Sequence, residues 1–250
     1  MKKDISSNAT MVDGKEKKTP SRKTTNQKQL IFIRHGKSQA QEAAQKGLDR
    51  TDKSLLDCGL AYLGTDQAYL LRKWFDQFDP NEVFILCSPL KRALQTALIA
   101  FPDQKIKVHP NLIEIPGTIP ENKPRPLSKL SRDPDLNSLP GWESIDWSGL
   151  PEEWPINKKN SKQNTRSKQI SKKQIRKQIN REVLDFVSSC NERTVILVCH
   201  YNVIRSFFPE VGGHISNCVP LEAHLSTSDL KHTDDDTKFE LEFIGINKLG

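Results

Sequence analysis

Leu30-Ile31-Phe32-Ile33-Arg34-His35-Gly36 is the stretch on which the reading of this chain turns. A short apolar run rich in β-branched and aromatic residues predicts a buried strand. It ends in a cation, an imidazole and a residue without a Cβ. At the carboxyl end of a strand these three can build an anion site: the guanidinium forks onto phosphate oxygens, and glycine lets an anion approach the backbone. The histidine between them can serve as a nucleophile.

Outward from this strand the chain repeats the pattern. Val83-Phe84-Ile85-Leu86-Cys87 and Thr194-Val195-Ile196-Leu197-Val198-Cys199 predict two more buried strands, Lys105 to His109 a short one, and Val219 to Ser226 and Phe239 to Ile246 two at the end. Helices are expected between them. One follows Ser38 as cap, running to Lys46. Another spans Gly59 to Phe78, with Leu60, Leu63, Ala68, Leu71, Trp74, Phe75 and Phe78 near helical spacing and Asp79-Pro80-Asn81 as its stop. A third, over about 90–100, is started by Ser88-Pro89-Leu90. Ile175, Ile179, Val183, Phe186 and Val187 mark a basic amphipathic helix, and Val203 to Phe208 a short one capped by Asn202. Pro116 to Asn164 reads as Pro-rich loop anchored by Trp142, Trp147 and Trp154. Alternating strands and helices predict a three-layer α/β/α sandwich with a mostly parallel central sheet.

At 250 residues the chain suits one α/β domain with appendages. Residues 1–28 read as a disordered basic tail and 29–250 as the domain, with a loop or lid insert at 115–165 and a basic helix at 166–190. A mean hydropathy of −0.62 fits the tail. Residues 1–28 hold 8 Lys/Arg against 3 acids, and residues 157–181 hold 10 against none. The net charge of +7 therefore hides an acidic body of −8. The basic segments read as solvated sequence, because no aromatic residues interleave with their charges; the alternative is weak contact with an anion such as RNA or a membrane surface. No apolar run nears the roughly 18 residues of a membrane span, and Met1 to Lys28 offers no signal-peptide core. Asp4, Asp13 and Glu16 argue against a transit peptide. The five cysteines are odd in number and form no CxxC pair, as expected of reduced thiols in a cytoplasmic or nuclear setting. Asp234-Asp235-Asp236 lacks a full cation-ligand set, and His214, His224 and His232 make no metal spacing, so neither metal nor cofactor is expected.

Three strand ends each deliver a residue suited to phosphate: Arg34 with His35, then Arg92 just after the second strand, then His200. In an open α/β sheet such ends converge on a ligand. Each alone is better explained as surface charge or a structural histidine; together and in this order they are not.

With Ile-Arg-His-Gly-Lys-Ser at 33–38, Cys-Ser-Pro-Leu-Lys-Arg-Ala-Leu-Gln-Thr-Ala at 87–97 and Val-Cys-His-Tyr-Asn-Val-Ile-Arg at 198–205, the chain resembles the histidine phosphatase superfamily, also called phosphoglycerate mutase-like, over residues 29–250. Residues 145–154 also look like a stretch in poorly characterised eukaryotic members. The resemblance implies a phosphohistidine mechanism on His35. Arg34, Arg92 and His200 would bind the phosphoryl group, helped by Gly36, Ser38 and Gln41, and Glu114 would be the proton donor of the branch that uses a Glu.

In-line phosphoryl transfer needs charge neutralised at three equatorial oxygens, and two arginines with a cationic histidine supply it without metal. His35 must attack as neutral imidazole, its other nitrogen held by a carbonyl near Gly36. Glu114 has a rival in Glu121 in the same loop. Three departures stand out: Lys37 where many members carry Glu or Gln, Ala40-Gln41 where mutases carry Trp-Asn, and Tyr201 for the common Gly. The expectation is a metal-independent phosphomonoester hydrolase acting on a small phosphorylated substrate. The alternatives are a phosphoglycerate-type phosphomutase and a non-catalytic phosphate-binding module.

Overall fold

The computed structural model describes residues 27–115, 119–151, 153–154, 172–211, 213–228 and 238–246. The basic tail lies outside the described residues except for Gln27 and Lys28, which already belong to the first strand. Residues 157–171 of the second basic segment, Asp234 to Asp236 and His232 also lie outside.

The strands are β1 (Gln27–Arg34), β2 (Val83–Cys87), β3 (Ile106–Val108), β4 (Ile145–Asp146), β5 (Thr194–Cys199), β6 (Pro220–Ser228) and β7 (Lys238–Ile246). The helices are α1 (Gln39–Gln45), α2 (Tyr62–Phe75), α3 (Lys91–Ala100), α4 (Leu127–Leu130), α5 (Pro134–Asn137), α6 (Lys172–Ser189) and α7 (Tyr201–Phe207). One sheet orders the strands β4-β3-β2-β5-β1-β6-β7. Its centre is parallel, and β6 and β7 close one edge antiparallel.

Strand alternation sends neighbouring side chains to opposite faces, and both faces of β1 are covered. Ile31 and Ile33 pack with Leu71 of α2 and Ala93, Leu94 and Ala97 of α3. Leu30 and Phe32 face the other way, onto Val183 and Val187 of α6 and Val203 and Ile204 of α7. The Phe32 ring meets Phe207 at 5.0 Å and Phe208 at 5.1 Å. Burying such a side chain stabilises by roughly 1.5–3 kcal/mol, which is why runs apolar on both faces read correctly as central strands.

Helix starts differ from the sequence reading in instructive ways. Ser38 caps α1 as expected, in a reciprocal box with Gln41. Ser88 does not cap α3. The helix starts at Lys91, whose N–H donates to the side chain of Asp57 at 2.9 Å, a partner 34 residues away. Asn202 does not cap α7 either: it lies inside the helix, and its side chain donates to the carbonyl of Ile115 at 2.8 Å.

The segment read as Pro-rich loop contains α4, α5, several 3-10 turns and a missed strand, β4, which pairs parallel with β3 through Ile106 and Ile145. Leu130, Leu136, Ile145 and Leu150 are buried, and Trp142, Trp147 and Trp154 pack against the core. These parts of the insert pack against one face of the sheet or extend it, while Ile119, Glu121 and Asn122 line a cavity.

Candidate active site

Three adjacent parallel strands end side by side. In register, Arg34 faces Cys199 and Cys87 faces Val198. The next residues continue the alignment, with His35 N–H donating to Cys199 O at 3.0 Å and Ser88 N–H to Val198 O at 2.9 Å. The carboxyl ends of β1, β2 and β5 thus deliver Arg34 and His35, the start of α3, and His200 to one place. Beyond β3 the chain turns through Pro110–Leu112 and brings Glu114 to the same end. A cavity of about 230 Å³ opens there, lined by Arg34, His35, Gln41, Arg50, Arg92, Glu114, Ile119, Glu121, Asn122 and Asn202.

His35 is buried and held at both ring nitrogens. Nδ1 lies 2.7 Å from the carbonyl of Gly36, so Nδ1 carries the proton and donates it there. Nε2 then holds the lone pair, which accepts from Arg92 Nε at 3.1 Å. Arg92 is 2 % exposed. Its other nitrogens donate to Glu121 O, to Asn122 Oδ1 at 2.9 Å and to His200 Nδ1 at 3.2 Å. His200 Nε2–H donates to Ser88 Oγ at 2.7 Å. Two imidazoles 5.0 Å apart are thus tied to one guanidinium. Arg34 donates Nη1 to Ile215 O at 2.6 Å, and its guanidinium lies over the Tyr201 ring at 5.4 Å. Its Nε is buried without a hydrogen-bond partner among the described residues.

Burial, and next the Arg92 charge, push both histidines well below the ordinary imidazole value. That direction favours the uncharged ring in both. Glu114 shifts the other way. Burial raises it toward the protonated form, against the N–H groups of Ile115 at 2.8 Å and Asn202 at 3.4 Å that accompany its carboxylate. Glu121 is buried in an ion pair with Arg50.

Of the residues singled out from sequence, Arg34, His35, Gln41, Arg92 and Glu114 line the cavity, and His200 stands just behind Arg92. Gly36 and Ser38 do not reach it. Ser38 spends its hydroxyl on Gln41 N–H at 3.2 Å. Gly36 donates to Thr96 Oγ1 at 3.0 Å, and a Cβ there would meet the carbonyl of Gly64 in α2 at 2.4 Å, so glycine is required by helix packing. Lys37 does not line the cavity: its Nζ donates to Gln45 at 2.5 Å.

The structure also brings in residues the sequence reading passed over. Asn217 donates to the carbonyl of His35 at 2.6 Å and shares amide contacts with Gln41. The next residue, Cys218, has φ of 56° and donates its N–H to Arg34 O at 2.8 Å. Arg176 of α6 interacts electrostatically with Glu114, and its Nη1 is buried without a hydrogen-bond partner among the described residues. Neither Arg50 nor Arg176 carries a local signal, since each sits in a charged run that reads as solvated. Among the described residues no three His, Cys, Asp or Glu side chains gather to hold a metal ion, and no helix is long and apolar enough to cross a membrane.

Residues 30–129 match the family model of the histidine phosphatase superfamily (branch 1). Similar solved structures include a mutant phosphoserine phosphatase from Entamoeba histolytica in complex with phosphoserine, 18% identical, covering 88% of this chain and 97% of that one with a TM-score of 0.51. A mycobacterial glucosyl-3-phosphoglycerate phosphatase is 16% identical, covering 87% and 98%, with a TM-score of 0.49. No curated protein sequence matches. The matched segment holds the ends of β1 and β2 and the Glu114 turn, and the phosphoserine phosphatase shares the fold of this chain across the sheet.

Proposed function

We propose that the protein is a phosphomonoester hydrolase working through a phosphohistidine on His35, with no need of a metal. One observation carries the reading: an imidazole whose Nδ1 proton is donated to Gly36 O turns Nε2, which accepts from Arg92 Nε, toward a cavity lined by Arg34, Arg92 and a protonatable glutamate. Nε2 attacks the phosphorus as the ester P–O bond breaks. Arg34 and Arg92 neutralise the equatorial oxygens, with His200 positioned through Arg92. Positive charge growing on the His35 ring is stabilised by the Gly36 carbonyl. Glu114 gives its proton to the leaving alkoxide. Its carboxylate then takes a proton from water, which attacks the phosphohistidine, breaks the P–N bond and frees phosphate.

The rivalry between two glutamates leans toward Glu114. Glu121 is engaged by Arg50 and its backbone carbonyl by Arg92, whereas burial raises Glu114 toward the form a general acid needs.

The test is hydrolysis of an aryl phosphate between pH 5 and 8 with chelator present, comparing wild type with His35→Ala. Turnover by wild type is expected, with at least about a 10³-fold loss in the variant, and a labelled phosphoenzyme that is labile to acid and stable to alkali. Activity that survives in the variant removes His35 as nucleophile.

A further inference from the structure

The side of α2 turned away from the sheet is more apolar than a solvated helix needs. Gly64, Ala68 and Leu71 form its buried side, where Leu71 joins the core beneath β1 and Gly64 lies against the Lys37 backbone. On the opposite side Tyr62 is 83% exposed, Leu63 49%, Tyr69 52% and Leu70 48%. A single exposed apolar side chain is ordinary on a protein surface. Here four of the eight large ones exposed among the described residues share one side of a 14-residue helix, and a contiguous patch of that kind marks an interaction site.

Helical geometry orders this face. Residues 62, 66, 69 and 73, and equally 63, 66, 70 and 73, follow the alternating four- and three-residue spacing of helices that pair lengthwise. Asp66 and Lys73 therefore run down the middle, with Tyr62 and Tyr69 along one flank and Leu63 and Leu70 along the other. Both charged residues are exposed, and neither makes an ion pair with a described residue. About 10 Å of helix axis separates them, too far for them to pair with each other.

The placement of these charges selects the occupant. A two-fold axis crossing α2 between Tyr69 and Leu70 stands midway between Asp66 and Lys73. A second copy related by that axis runs antiparallel and sets its Lys73 opposite Asp66 and its Asp66 opposite Lys73. The same rotation keeps tyrosines beside tyrosines on one flank and leucines beside leucines on the other. Moving the axis along the helix to Asp66 or to Lys73 instead sets like charges face to face, which is unfavourable. Such self-complementarity is what a two-fold dimer interface requires.

We propose that two copies of this chain pair through the outer face of α2, antiparallel, with reciprocal Asp66–Lys73 ion pairs. This face lies across the helix from the loop that carries His35, so the proposal stands apart from the hydrolase reading. A contact one helix wide over about 20 Å is small beside the roughly 1,200 Å² of a stable interface. The dimer is therefore reversible.

The experiment is sedimentation velocity of the full chain at low salt, over concentrations spanning a Kd of about 1–100 μM. Wild type should pass from monomer to dimer across that range. Asp66→Lys and Lys73→Asp each set like charges opposite one another, and each is expected to weaken the dimer at least about 10-fold. Combined, they exchange the two charges and rebuild both pairs, so the double variant should fall within about 3-fold of wild type. All substituted side chains are exposed, and an unchanged far-UV circular dichroism spectrum shows that each variant is folded. A chain that stays monomeric throughout overturns the proposal and leaves the face to a different protein. A dimer that neither single variant weakens overturns its placement on α2. Weakening by both single variants without recovery in the double variant overturns the antiparallel register.

Discussion

The cluster around Asp57 and the cluster around His35 both lie against α3, both are buried, and they balance charge in different ways. Asp57 accepts the Lys91 N–H at the start of α3 and Arg125 Nε, each at 2.9 Å. Arg125 also reaches Asp133 at 2.8 Å, and Lys91 Nζ bridges Asp133 at 3.1 Å and Asp135 at 2.5 Å. Cations there are met by carboxylates of the protein itself, so the cluster is a strut that ties the 119–137 segment to the helix carrying Arg92. Around His35 the arginines outnumber the carboxylates, and the polar groups line a cavity. A buried cluster closed by its own counter-charges holds the fold; one left positive is complementary to an anion.

Glu114→Gln is the sharpest way to break this contrast. Hydrolysis of an alkyl phosphate is expected to fall by about 10²- to 10³-fold, with far less loss for an aryl ester whose leaving group needs no proton, and with little change in melting temperature. The pH profile follows from the two shifts. His35, lowered, stays neutral until pH is well below 6.5, and Glu114, raised, loses its proton as pH climbs. Alkyl ester turnover should therefore hold on the acidic side and decline on the alkaline side. An aryl ester measured in parallel should decline less steeply.

Asp57→Ala is expected to do the reverse, lowering stability by about 1–3 kcal/mol because the Lys91 N–H and Arg125 Nε lose their acceptor while Arg125 keeps only Asp133, measured by urea unfolding, while well-folded samples keep most of their turnover. A second readout concerns pH. Burial raises Asp57 from 3.8 to about 6, despite Arg125 and the Lys91 N–H. The folded state then binds the extra proton between those values, so this group's contribution to stability is present below about pH 4 and lost as pH rises through 6. Asp57→Asn should flatten that slope.

Smaller effects refine the picture. Gly36→Ala forces a Cβ against the Gly64 carbonyl and should cost roughly 1–3 kcal/mol by overpacking, read as a lower melting temperature. Tyr201→Leu removes the ring under Arg34 and should raise KM by about 2- to 5-fold, the worth of an exposed cation–π contact, with kcat little changed.

The core of the sheet was legible because β1, β2 and β5 are apolar on both faces, and Arg34, His35 and His200 were legible because they follow such runs directly. β4 was not: two residues within a Pro-rich stretch have no periodicity, and Ile145 becomes a strand residue only because β3 offers an edge. The strut was equally hidden. Asp57 and Arg125 are 68 positions apart, and nothing local marks either as a partner of the other. Arg50 with Glu121 and Asn217 with His35 share that character, since their meaning arises where distant loops meet. Lys37 is the opposite case, a cation adjacent in sequence to the site residues that does not line the cavity.

The bond from Arg92 Nε to His35 Nε2 has a further consequence. The one lone pair available for chemistry is already spoken for, so a passing electrophile without negative charge meets a shielded imidazole. On the phosphohistidine reading proposed above, an incoming phosphoryl dianion would compete for that same guanidinium, and as it drew the N–H toward its oxygens it would uncover the nitrogen beneath. Arg92 would then act as a safety catch on His35, released by the very group that His35 is proposed to attack.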